Sequence, residues 1–301
     1  MYRIVLLLVL ALSFGCKKDN STTGQPAQEA MGLYAKGFNA LIGDPKQMIT
    51  EYFDRLPDGP QPGTKPSLFP RQNFGASKIT EAREAFVAAK KAAPPSLANL
   101  AAPAEEALVA IDKIAVAFTA AQKYYEAENY KDDNFAKGKE LHQQMVAAAA
   151  QYRAAVNKLE DGLSVIEDQQ AATELAKHES AHGYSYMFRF YNIEAKKFLS
   201  AVERAQTPEQ RGALPAAFQK IAAADEELGK FVAAKGAKVN GAFKSYAGMA
   251  SSYQATAVKI LRLVKDNQDP SAEMDALVRN YNSLVTMANS LYQLEDANAL
   301  N

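Results

Sequence analysis

Apolar residues recur along most of this chain with the period of an α-helix. Leu141, Met145, Ala148, Tyr152, Val156, Leu159, Leu163 and Ile166 are separated by 4, 3, 4, 4, 3, 4 and 3 residues. The mean lies near one helical turn, so these side chains line one face. Phe243, Tyr246, Ala250, Tyr253, Ala257, Ile260 and Val264 form a second stripe. Met274, Leu277, Tyr281, Leu284, Ala288 and Leu291 form a third, and Leu108, Ile111, Ala115, Phe118 and Tyr125 a fourth. Each is longer than an ordinary strand, and no alternating run bounded by turn residues competes with them. The alanine run from Ala147 to Ala150 favours helix further.

Punctuation separates the stripes. Thr207-Pro208-Glu209-Gln210 reads as a helix start, with Thr207 as cap, Pro208 in the first turn and Gln210 closing a capping box. Asp269-Pro270 repeats the cap-then-proline order, and Asp132-Asp133-Asn134 can begin the helix that carries Leu141. The segment 57–75 differs, with prolines at 57, 60, 62, 66 and 70 and glycines at 59, 63 and 75. It cannot be helical. A loop of this length is unusual inside a compact domain. Its first reading is a loop, disordered or partly packed through Leu68, Phe69 and Phe74; its second is a ligand lid or partner segment. Together these signals predict an all-α fold over residues 29–301, an elongated antiparallel bundle of about six to eight helices.

A different kind of sequence precedes the stripes. Met1-Tyr2-Arg3 is a short positive start, and Ile4 to Leu12 is an unbroken apolar run of nine residues. A bilayer span takes about 20 residues, so the run matches the apolar centre of a secretion signal instead. Ser13-Phe14-Gly15 leads into Cys16, the only cysteine of the chain. A small residue directly before a lone cysteine resembles the lipobox of bacterial lipoproteins. Ser13 stands where that pattern has leucine, and Phe14 is bulky for its place. Residues 1–15 therefore read as a lipoprotein signal peptide and Cys16 as the lipid-attachment site. The alternative is an ordinary secretory signal with an incidental cysteine. The chemistry requires a thiol, because diacylglycerol is added to sulfur. Each buried methylene contributes about 0.8 kcal/mol, so two or three acyl chains anchor stably where one does not. Residues 16–28 read as the lipidated cysteine and a flexible tether, polar and interrupted by Gly24 and Pro26. Lys17, rather than aspartate, follows the cysteine, which favours the outer membrane if the source is Gram-negative.

Charge narrows the partners. Lys+Arg and Asp+Glu number 34 each, and the signal removes only Arg3, leaving 33 against 34. A near-neutral body has no overall electrostatic case for nucleic acid, and it lacks a polybasic patch for anionic lipid. With one cysteine it cannot form an internal disulfide, so packing must supply its stability. The sequence has no glycine-rich phosphate loop and no G-x-S-x-G.

Three groups of residues could carry chemistry. His178-Glu179-Ser180-Ala181-His182 matches H-E-x-x-H. On one helix the two imidazoles would share a face and could bind zinc, with Glu179 acting on a metal-bound water. The extended metzincin form needs glycine and histidine where Ser185 and Phe188 stand. Glu194 or Glu203 would have to serve as third ligand, and Gly183 can end the helix. A polar patch near a helix end is the simpler reading. The run Tyr184-Ser185-Tyr186-Met187-Phe188-Arg189-Phe190-Tyr191 reads as a helix buried on several sides, or else as an aromatic-lined cleft. Arg189 would then need a buried partner. The acidic pair Asp132-Asp133 reads as helix capping rather than a cation loop.

The stretch from Tyr124 to His142, reading YYEAENYKDDNFAKGKELH, resembles the YiiG-like family of bacterial lipoproteins, as does Tyr281-Asn282-Ser283-Leu284-Val285. The resemblance implies a helical, lipid-anchored chain and supplies no catalytic residues. The expected protein is an envelope lipoprotein, held to the membrane through lipid on Cys16. Its helical body lies outside the cytoplasm as a non-enzymatic binding or structural module for an envelope partner, without a cofactor. The alternative is a zinc-binding protein or zinc-dependent hydrolase using His178 and His182.

Overall fold

The computed structural model describes residues 25–64, 74–205 and 211–300. The signal peptide 1–15, Cys16 and most of the tether lie outside the described residues. So do residues 65–73 with Leu68 and Phe69, and the helix start Thr207–Gln210. The described residues contain helices and no strand. In chain order they are α1 (Gln25–Ile42), α2 (Asp44–Arg55), α3 (Ala76–Ala92), α4 (Ala101–Glu126) and the single turn α5 (Tyr130–Asp133). Then come α6 (Ala136–His178), α7 (Tyr184–Arg204), α8 (Leu214–Lys235), α9 (Gly241–Lys265) and α10 (Ser271–Asp296). Tight turns at Pro95–Leu100, Glu179–Ala181 and Gly236–Lys238 connect neighbours. The all-α bundle expected from the stripes is what forms. One boundary differs: α1 begins inside the stretch 16–28 read as tether. Pro26 falls in its first turn, where a missing N–H breaks no helical bond. Helix α10 begins one residue later than the cap-then-proline order predicts, with Pro270 rather than Asp269 at the cap position.

Among the described residues the chain divides into two compact units, one up to residue 166 and one from residue 167 onward, with a boundary inside α6. In the first, the α6 stripe from Leu141 to Ile166 is buried at every position. Arg83 pairs with Asp112 at 2.8 Å and Lys90 with Glu105 at 3.5 Å, so α3 and α4 run antiparallel. Lys158 meets Glu106 at 3.0 Å and Lys113 meets Gln151 at 3.0 Å, which makes α4 and α6 antiparallel as well. Close approach is built in at Gly162, where a Cβ would lie 2.7 Å from Leu100 Cδ2. The Tyr152 hydroxyl donates to the Leu41 carbonyl at 2.7 Å and ties α6 to α1.

The second unit is a bundle of α7 to α10 cross-braced by tyrosines. Tyr246 in α9 donates to the Phe188 carbonyl of α7 at 3.1 Å or to Asn192 Oδ1 at 2.8 Å. Tyr253 donates to the Ala195 carbonyl at 2.6 Å, and Tyr191 returns the bond to Ala250 at 2.7 Å. Partners advance together along both helices, so α7 and α9 run parallel. Helices α8 and α10 return between them: Tyr184 packs on Phe231 and Phe198 on Phe218, while Lys259 faces Glu273 and Asn280 bonds Thr256. The result is an up-down-up-down bundle whose parallel helices are linked across the core. Burial pushes the Tyr191, Tyr246 and Tyr253 phenols well up, so they stay neutral donors.

Tyr253→Phe is expected to lower the unfolding free energy by about 1 kcal/mol. Tyr253→Ala, which also empties the ring's place, should lower it by about 4 kcal/mol. Urea denaturation followed by circular dichroism measures both.

Candidate functional site

The H-E-x-x-H motif falls on a corner and not on one helix. The helix α6 ends at His178, a tight turn covers Glu179–Ala181, and His182 adopts a left-handed backbone with φ 42° before α7 begins. With the α-helix stopped, residues four apart no longer share a face. The imidazoles meet different carboxylates: His178 Nε2 lies 3.9 Å from Glu295 Oε1 of α10, and His182 Nε2 lies 3.7 Å from Glu227 Oε1 of α8. The second nitrogen of His182 is hydrogen-bonded to the Glu179 carbonyl. Glu194, a candidate third ligand, pairs with Lys197 at 2.7 Å. Among the described residues, no group of three or more His, Cys, Asp and Glu could hold a metal ion. The zinc reading of His178 and His182 is therefore not favoured, and the corner instead joins α6 and α7 to α8 and α10.

The aromatic run beside it divides between core and rim. Tyr184, Phe188 and Tyr191 are buried. Tyr186 and Phe190 are half-buried and stacked, with centroids 5.6 Å apart, and His182 stacks on Tyr186 at 4.4 Å. Arg189 is buried, and its partner is Glu295, whose Oε2 receives the guanidinium at 2.8 Å. The same guanidinium donates to the Ser185 carbonyl at 3.2 Å and lies over the Phe188 and Tyr292 rings at 4.9 and 4.6 Å. The Ser185 hydroxyl donates to Glu295 Oε1. Burial pushes the Glu295 carboxyl up, but the bonds from Arg189 and Ser185 outweigh it and hold the group below its ordinary range. Burial, then the Arg189 charge, pushes His178 down. Burial above all pushes the Tyr292 phenol up to about 12. Here a carboxylate stands between a hydroxyl and an imidazole. A hydrolase triad has the reverse order, with imidazole between hydroxyl and carboxylate. The geometry braces helix ends and does not activate Ser185.

In the first unit, Asp133 caps α6 as expected. Its Oδ2 accepts from the Lys137 N–H at 3.0 Å, and its Oδ1 accepts from the Tyr124 hydroxyl. Part of the Pro/Gly segment packs on the helices: Gly59, Pro60 and Phe74 are buried, with Phe74 5.1 Å from Phe118. Structure also reveals a surface feature with little sequence signal. An open groove of about 630 Å³ lies between α4 and α6, over Ala117, Ala147 and Ala148. Its rim carries Val109 and Val116, which are 50% and 71% exposed. Their only signal is that two valines seven apart stand off the buried stripe of α4.

Residues 25–295 match the family described as "Protein of unknown function (DUF3829)". The match spans most of the chain, which belongs to this family. The chain is also similar to "Uncharacterized protein YiiG" of Escherichia coli (strain K12), 27% identical over 288 residues, covering 89% of this chain and 73% of that protein. No solved structure matches it.

Arg189→Met is expected to cost about 3 kcal/mol, because it leaves a half-buried carboxylate without its cation. Adding Glu295→Gln should recover part of that loss. The sign with pH follows from the lowered Glu295 value. Its contribution is full above the unfolded carboxyl value of about 4.3 and fades as pH falls below it. Glu295→Gln should therefore flatten the acid limb of thermal stability, read by scanning calorimetry between neutral and acidic buffer.

Proposed function

We propose that the chain is a lipid-anchored envelope lipoprotein whose helical body is a non-enzymatic binding or structural module. One observation carries this reading: the only cysteine of the chain stands at the end of its N-terminal apolar run, at Cys16. A thiol at that place accepts diacylglycerol, and the polar residues before α1 let the body stand off the membrane. Among the described residues, no helix is long and apolar enough to cross a membrane. The lipid on Cys16 is then the membrane attachment, in the outer membrane if the source is Gram-negative.

The body's chemistry supports binding over catalysis. The hydroxyl, imidazole and carboxylate of the α6–α7 corner are engaged with one another or with helix ends. A partner would be an envelope protein met through the helical surface, where the valine-rimmed groove between α4 and α6 is open to contact.

Cys16→Ser tests the anchor. In cells fed radiolabelled palmitate, the wild-type chain should carry label and sediment with membranes. The variant should carry none and leave the membrane fraction. Mass spectrometry of the purified mature chain should find acyl groups on an amino-terminal cysteine; an unmodified thiol there would sink the reading.

A further inference from the structure

His142 is a buried ionisable ring that closes part of the Pro/Gly segment onto the first unit. It is only 8% exposed, and its Nδ1 lies 2.9 Å from the Tyr52 hydroxyl of α2. Its ring packs against Tyr52 at 5.7 Å and edge-on to Phe53 at 5.8 Å. The chain passes over it at Gly59, where φ is +74° and a Cβ would lie 2.7 Å from His142 Cδ2. A side chain at 59 would be excluded both by the backbone conformation and by the ring. The next residue, Pro60, rests beside Gly138, one turn before His142 in α6. A Cβ on Gly138 would lie 3.3 Å from Pro60 Cγ and would strike the Tyr125 hydroxyl. Gly138 and His142 thus form a fitted seat for Gly59 and Pro60.

We propose that residues 56–64 are a proton-released clasp: neutral His142 holds them on the helices, and protonated His142 lets them go. An unprotonated Nδ1 accepts the Tyr52 phenolic hydrogen. A protonated Nδ1 cannot, so the buried Tyr52 O–H loses its acceptor while a cation appears among aromatic rings. The ionisable groups facing the ring are Tyr52 from α2 and Asp58 from the clasp itself. Tyr52 in turn acts on Tyr125 of α4, and burial pushes both phenols too far up to ionise in this range. Burial pushes the imidazole down, more than the exposed Asp58 carboxylate pushes it up. Closure is thus full above the unfolded imidazole value of about 6.5 and is lost as pH falls below it. Release would uncover the His142 ring that Gly59 covers, opening under acid conditions a face that neutral conditions hide.

Hydrogen exchange on the mature full-length chain in detergent tests this. Peptides covering residues 56–64 are followed from pH 7.5 to 4.5, with rates divided by those of an unfolded control. In the wild type, protection there should fall about tenfold, the effect of one pH unit on a titrating opening step, while peptides from α9 stay protected. In His142→Phe, a ring without a titrating nitrogen, protection should not depend on pH. Asp58→Asn should move the wild-type midpoint to lower pH, because it removes the carboxylate that favours the imidazolium. An acid response retained in both His142→Phe and His142→Gln would overturn the proposal. If both histidine variants fail to fold, the surface variant decides alone: an unmoved midpoint in Asp58→Asn overturns it.

Discussion

A helix consumes its own backbone donors and acceptors, so any other polar group buried between helices must find its partner on a different one. That requirement organises both units. Tyr152 reaches the Leu41 carbonyl, and Tyr191, Tyr246 and Tyr253 brace α7 and α9 across the core. Arg189 finds Glu295, and Tyr52 finds His142. Apolar burial drives the helices together without specifying register, since one leucine face slides over another at modest cost. A phenol that must land on a particular carbonyl is less tolerant. These bonds select one arrangement among the many that greasy stripes would accept.

The same requirement bears on function. The residues that look most chemical in the sequence are the ones whose polar atoms serve the fold. Ser185, Arg189 and Glu295 complete one another where α7 starts and α10 ends. Asp133 is engaged in starting α6. What is left at the surface is the valine rim over α4 and α6 and the half-buried rings of Tyr186 and Phe190.

Much of this was legible from residue order, and the reasons are local. The buried stripe of α6 appears at the predicted positions because helical periodicity needs only neighbours along the chain. The cap on α6 was legible because Asp133 bonds an N–H four residues away. H-E-x-x-H was misleading for a related reason: its spacing implies a shared face only while the α-helix continues, and the backbone leaves that geometry after His178. The burial of Arg189 could be anticipated from its aromatic neighbours, but its partner could not. His142 gave no signal at all, because nothing beside it in the chain announces Tyr52 or Gly59.

The sequence by itself determined that the chain is helical, roughly where helices start and stop, and that a lone cysteine follows an N-terminal apolar run. Those properties depend on residues within a few positions of one another. Tertiary structure alone decided that Arg189 meets a carboxylate 106 residues away and that His142 meets a phenol 90 residues away. Such pairs depend on which helix lies against which, and at what register. That outcome is settled by the packing of all the stripes together, and no single stripe contains it.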